Sequence, residues 1–119
     1  MNRIKTMFIG TSNFAVPLLE ALLEWDFLDI SCVVTQPDRP VGRKQVLTPP
    51  PVKRLLLEKD KRVQIEQPEK VRKIGEKLMN KYKPELILVA SYGQIIPKNI
   101  LEYPKYGCLN VHVSKLPHL

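Results

Sequence analysis

Leu86-Ile87-Leu88-Val89-Ala90 is apolar at every position and is bracketed by Pro84 and by Ser91-Tyr92-Gly93. A strand with one wet face would alternate, so a continuous run of this kind reads as a strand buried on both faces. Such a strand needs helices above and below its sheet, which commits the chain to an α/β architecture. The remaining periodicities follow suit. Residues 4–9 read as a first strand ending at Gly10, and Thr11 is placed to cap a helix with apolar positions Ala15, Leu18, Leu19, Leu22 and Leu23. Residues 30–35 form a second strand, and 36–50 a long loop without regular structure. A helix over 51–58 presents Val52, Leu55 and Leu56, and a short third strand covers 63–66. A basic helix over 69–82, a short helix over 97–101 and a fifth strand over 108–112 complete the series. Alternation of this kind predicts a doubly wound, mostly parallel sheet, with the strands near Ile9, Val34 and Val89 at its centre.

The chain of 119 residues has material for one modest core and one domain. No apolar stretch approaches the roughly 20 residues that span a bilayer. Met1-Asn2-Arg3-Ile4-Lys5 leads directly into a strand without a cleavage-site pattern, so no signal peptide is expected. Cys32 and Cys108 sit in apolar strand surroundings and read as buried free thiols. With no Cys-x-x-Cys and only 2 His, no metal site is expected, and a reducing cytoplasm fits. The formal charge of +7 is unevenly placed, since residues 39–83 hold 14 of the 19 Lys and Arg but 5 of the 12 Asp and Glu. Lys70, Arg72, Lys73, Lys77, Lys81 and Lys83 interleave with Val71, Ile74, Leu78 and Met79, which makes them the solvated face of an amphipathic helix. Arg39, Arg43 and Lys44 differ. They give the proline-rich loop a positive tip suited to phosphates, and prolines at 37, 40, 49, 50 and 51 restrict its freedom.

The turn after the first strand, Gly10-Thr11-Ser12-Asn13-Phe14-Ala15, carries a single glycine. A dinucleotide site needs Gly-x-Gly-x-x-Gly, which argues against a nicotinamide or flavin cofactor. In open α/β sheets, ligands bind at the carboxyl ends of the strands. Two groups of residues fall there. Gly93 lets a backbone approach a flat heterocycle, with Tyr92, Ile95 and Ile96 as walls of an apolar slot. Asn110 and His112, two apart on the last strand, share a face, so a carboxamide and an imidazole stand where they can polarise a carbonyl and shuttle a proton.

Four segments together resemble the formyltransferase family that uses 10-formyltetrahydrofolate. They are Gly10 to Pro17; Val33-Val34-Thr35-Gln36-Pro37-Asp38-Arg39-Pro40-Val41-Gly42-Arg43, continuing through Leu47 to Lys53; Ala90 to Pro97; and Gly107-Cys108-Leu109-Asn110-Val111-His112 with Ser114-Lys115-Leu116-Pro117. The second segment discriminates, because relatives acting on purine precursors or nucleotide sugars share Asn-x-His but lack the Gln-Pro-Asp-Arg-Pro loop. The resemblance therefore implies methionyl-initiator tRNA as acceptor and the folate as one-carbon donor, with no metal. It implies a Rossmann-like amino-terminal domain, of which this chain carries the first five strands. Asn110 and His112 become catalytic residues. Ser114, Lys115, Leu116 and Pro117 lie along the folate, Tyr92, Gly93 and Ile95 shape the pterin pocket, and Arg39, Arg43 and Lys44 meet the tRNA.

Two departures stand out. Lys115 replaces an apolar residue, and Lys44-Gln45-Val46 replace a glycine followed by two lysines. The family's catalytic aspartate lies further along the chain than Leu119, and its members continue into a β-barrel that helps hold the tRNA. The 119 residues alone are accordingly expected to be inactive, and to self-associate through the exposed last strand. A formyltransferase with another amine acceptor, a non-catalytic nucleic-acid-binding module and a degenerate remnant are the competing readings.

Overall fold

The structure, a computed structural model, describes residues 2–111. Its elements are β1 (Ile4–Gly10), α1 (Ala15–Leu23), β2 (Leu28–Val34), β3 (Arg39–Val41), β4 (Val46–Thr48), α2 (Pro51–Lys59), β5 (Gln64–Glu66), α3 (Val71–Tyr82), β6 (Leu86–Ala90), α4 (Lys98–Leu101) and β7 (Cys108–Asn110). Five strands form a parallel sheet in the order β5-β2-β1-β6-β7. This is the α/β, doubly wound sheet expected, and the three most apolar strands occupy its middle. None of the helices among the described residues is long and apolar enough to cross a membrane.

The continuous apolar runs are explained by two cores. On one face Phe8, Val33 and Leu88 pack with Leu19 and Leu22 of α1 and with Val52, Leu55 and Leu56 of α2. On the other, Met7, Ile9, Cys32, Val34, Ile87 and Val89 meet Val71, Leu78 and Met79 of α3 and Ile100 of α4. Neighbouring residues of one strand thus serve opposite cores. Each fully buried aliphatic side chain contributes about 1.5–3 kcal/mol, so the paired cores supply most of the favourable term. The six basic residues of α3 and its flanks are all exposed, a solvated face as the spacing indicated. Cys32 is buried and free, and burial pushes its thiol up to about 12, which makes it an inert core residue.

Three expectations need correction. Thr11 does not cap α1: the helix begins at Ala15, whose N–H donates to the Ser12 carbonyl at 2.9 Å, and no side chain caps it. The Thr11 hydroxyl is instead drawn between strands. Residues 36–50 are not an irregular loop, because Arg39–Val41 pairs antiparallel with Val46–Thr48. Val41, Val46 and Leu47 favour the extended backbone, and the turn closes with the Gln45 N–H on the Gly42 carbonyl at 3.2 Å. The last strand ends at Asn110, short of the predicted 108–112: Val111 is outside it, and His112 lies outside the described residues.

The root of this hairpin is anchored by Asp38. Lys53 Nζ donates to both carboxylate oxygens at 3.1 and 3.2 Å, and Gln67 Nε2 donates to Oδ1 at 2.7 Å. These bonds, that of Gln67 first, hold the Asp38 carboxyl below its ordinary range. A depressed folded-state pKa contributes stability above the unfolded carboxylate range, lost as pH falls through the folded value. Asp38→Asn is therefore expected to lower the urea midpoint at pH 7, with the gap from the parent closing as pH falls below the ordinary carboxylate range. Urea titrations at several pH values check this, and a gap that persists in acid would contradict it.

At the carboxyl end of β1, Gly10 sits where a Cβ would lie 2.5 Å from the Ala90 carbonyl and 2.8 Å from Phe8 Cε2. Gly10→Ala must push β1 from β6, and a loss of roughly 1–3 kcal/mol is expected from overpacking of this kind. Chemical denaturation measures it; an unchanged midpoint would mean that the strands separate freely.

Candidate functional site

The strand order reverses between β1 and β6, since the chain leaves β1 for β2 on one side and returns to β6 on the other. Helices diverge at such a switch point and leave a crevice at the carboxyl ends. Thr11 fastens that crevice. Its N–H donates to the Ser91 carbonyl at 3.0 Å and its hydroxyl to the Tyr92 carbonyl at 2.8 Å. The same hydroxyl oxygen accepts the Gln36 N–H at 3.3 Å. The ends of β1, β2 and β6 are thereby joined through one side chain.

Beyond Ala90 the backbone turns sharply. Ser91 takes φ +53 and Gly93 φ +101. A non-glycine residue held in the left-handed region costs about 1–3 kcal/mol and persists where its surroundings over-determine it. Here the Ser91 hydroxyl meets that of Ser12 at 2.5 Å. At position 93 a Cβ would stand 2.8 Å from Gln36 Nε2, so both the φ angle and the space call for glycine.

The turn forms one side of a cavity of about 940 Å³, lined by Phe14 and Leu18 of the α1 side, by residues 89–96, by Leu101, and by Asn110 and Val111 of the last strand. The volume suits a small-molecule site. Phe14 and Ile95 are 68% and 90% exposed beside it, which removes Ile95 from the core and leaves apolar surface waiting to be covered. Ile96 packs partly on the core. Tyr92 lines the cavity by position, but it is buried with Met7, Ile9, Val89 and Ile100, and its hydroxyl has no partner among the described residues. Burial pushes that phenol up to about 12, so it stays neutral. Polar groups at the rim are Ser91, Gln94 and Asn110, so the cavity offers apolar walls and a few hydrogen-bonding atoms, as a flat heterocycle requires.

Asn110 is exposed, pairs in register with Val89, and is followed by the Val111 N–H donating to the Val89 carbonyl at 2.8 Å. Tyr92, Gly93, Ile95 and Asn110 thus share one cavity. His112, Ser114, Lys115, Leu116 and Pro117 lie outside the described residues. Arg39, Arg43 and Lys44 are exposed on the hairpin, Arg39 in β3 and the others in its turn. Arg39 Nη1 stands 3.8 Å from Glu69 Oε2, both largely exposed, a weak pairing that leaves the cation available. Among the described residues no group of three or more His, Cys, Asp and Glu could hold a metal ion.

One site residue escaped the sequence reading. Gln94 Oε1 accepts the Val71 N–H at 2.8 Å and so caps α3 from outside. Its Nε2 donates to Gln36 Oε1 at 2.7 Å and to the Pro68 and Glu69 carbonyls at 3.3 and 3.2 Å. The available signal was Lys70 at the N-cap of α3, which has no side-chain acceptor and leaves the first amides seeking one elsewhere.

A profile of the formyl transferase family matches residues 2–119. A methionyl-tRNA formyltransferase of Halalkalibacterium halodurans is 53% identical over 116 residues, covering 96% of this chain and 35% of that protein. One from Bacillus subtilis is 52% identical over 120 residues, covering 100% and 36%. One from Caldicellulosiruptor saccharolyticus is 49% identical over 113 residues, covering 93% and 36%. The chain spans about a third of the length of these curated relatives and corresponds to their amino-terminal part. Profile, identity and a parallel sheet with its crevice at the switch point agree: the chain belongs to the formyl transferase family.

Proposed function

We propose that this chain is the donor-binding part of a cytoplasmic enzyme that moves a formyl group from 10-formyltetrahydrofolate to the α-amine of methionine on initiator tRNA. The observation that carries the reading is the apolar cavity with Asn110 on its rim at the strand-order reversal. The similarity to relatives that are each a methionyl-tRNA formyltransferase supports the acceptor.

The chemistry follows from the groups present. The amine nitrogen attacks the formyl carbon, which gives a tetrahedral adduct with an oxyanion and an ammonium. The Asn110 carboxamide donates to the oxyanion as its charge develops. His112 takes the ammonium proton and delivers it to the folate nitrogen as the carbon–nitrogen bond to the donor breaks. Ser114, Lys115, Leu116 and Pro117 contact the folate. Gly93 and Ile95 face the pterin, and Tyr92 backs the pocket from the core. Arg39, Arg43 and Lys44 take phosphates of the tRNA acceptor end.

The 119 residues alone are expected to bind 5-formyltetrahydrofolate, a stable donor analogue, yet to give no formylated product with charged initiator tRNA. In an enzyme of the relatives' full length, Asn110→Ala should lower kcat about 10²–10³-fold while the donor KM moves little, as for loss of one oxyanion donor. Single-turnover and steady-state kinetics test both. Turnover by the 119 residues at a full-length rate, or an Asn110→Ala enzyme with normal kcat, would overturn the reading. RNA binding without folate binding would shift it to a nucleic-acid-binding module.

In the same enzyme, Arg43→Ala should weaken tRNA binding and make the slope of log K against log salt shallower by about 0.7–0.9, the loss of one phosphate contact. Binding isotherms at several salt concentrations measure this. An unchanged slope would take Arg43 out of the interface.

A further inference from the structure

The hairpin and the cavity are separate features of the surface, but a continuous chain of hydrogen bonds through three glutamines runs between them. It begins at Asp38, at the hairpin root, which accepts from Lys53 Nζ and from Gln67 Nε2. The same Gln67 Nε2 donates to the Gln36 carbonyl at 3.1 Å. Gln36 Oε1 then accepts Gln94 Nε2 at 2.7 Å, and Gln94 lines the cavity.

The orientation of each amide is forced. The Val71 N–H can only donate, so the atom of Gln94 facing it is oxygen, and the Pro68 and Glu69 carbonyls can only accept, so the other is nitrogen. Gln36 must then turn its oxygen to Gln94, which leaves its Nε2 against the bare face of Gly93, where a Cβ would be 2.8 Å away. The side chain of Gln36 is therefore wedged between the hairpin root and the cavity lip. A displacement of either by about 1 Å stretches a 2.7 Å bond beyond useful length or carries the other along.

We propose that Gln36 and Gln94 are positioning residues whose paired carboxamides make the hairpin root and the cavity lip one mechanical body, so that a polyanion seated on the hairpin tightens the binding of a flat heterocycle in the cavity, and the reverse. Ordering either end removes freedom from the other, and the second ligand meets a lip or root already ordered. Linkage requires the effect to be reciprocal. The ligand half of this proposal rests on the assignment of the cavity to the folate and of the hairpin to the tRNA; the mechanical half rests on the geometry alone.

Gln36→Met keeps the length of the side chain, removes its acceptor, and leaves Gln94 capping α3. Gln94→Met cuts the tie from the other side. In the ligand-free chain, hydrogen exchange of the hairpin peptide 39–48 and the lip peptide 92–96 should both rise at least about threefold in Gln36→Met, with β1 and β6 unchanged. A uniform rise over all peptides, or a rise in only one of the two, would overturn the tie. With ligands, a saturating acceptor-stem RNA should lower the Kd of 5-formyltetrahydrofolate about fivefold in the parent, and by less than about 1.5-fold in Gln36→Met and in Gln94→Met. A fivefold effect surviving in both variants, or absent from a parent that binds both ligands, would overturn the proposal. If the parent binds neither ligand, the functional reading fails, and the exchange measurement still decides the tie.

Discussion

A hydroxyl at position 11 and the missing side chain at position 10 hold together the carboxyl ends of three strands. Gly10 lets β1 come against the Ala90 carbonyl with no room for a Cβ, and the Thr11 hydroxyl then lies within reach of backbone from both β6 and β2. A parallel sheet has a natural opening at this point, because its helices leave on opposite faces. The glycine and threonine keep the opening narrow at its base. The strained Ser91 turn is built on that base, and the cavity on the turn.

The site consequently combines rigid and loosely covered parts. Its floor is the buried end of β6, held by strand pairing on both sides. Its rim carries exposed apolar side chains, Phe14 and Ile95 chief among them, beside the polar Ser91, Gln94 and Asn110. Stability spent on strain at residues 91–93 is recovered in the two cores, where most residues of the central strands are buried. Charge is kept away from this region. No described residue lining the cavity is charged, whereas Arg39, Arg43 and Lys44 stand exposed on the hairpin and six further cations on α3 and its flanks.

Most of the framework was legible in advance because its signals are local and periodic. The run at 86–90 required burial on two faces, and the spacing of Val71, Leu78 and Met79 against the lysines distinguished the inner from the outer side of α3. The hairpin was missed. Prolines at 37, 40, 49 and 50 dominate that stretch, while the strand signals in Val41, Val46 and Leu47 are only three residues long on each side. The role of Thr11 was misjudged for a different reason. A threonine before a helix looks like a cap, and the neighbouring strand that outcompetes the helix for its hydroxyl is some 80 positions away in the chain (81 residues, to Tyr92).

Sequence alone determined the fold class, the central strands, the solvated basic face of α3 and the place of Tyr92, Gly93, Ile95, Ile96 and Asn110 at the carboxyl edge. These depend on the order of apolar and polar residues along the chain, which sets what each element must bury. Tertiary structure decided which of those residues meet: Tyr92 turned into the core while Ile95 stands out in solvent, Asp38 occupied by Lys53 and Gln67, and Gln94 capping a helix that begins 23 residues earlier. Such pairings join groups far apart in the chain. They arise only when parallel crossovers bring the strand ends together, because a hydrogen-bonding group buried there must take whichever partner the packing delivers.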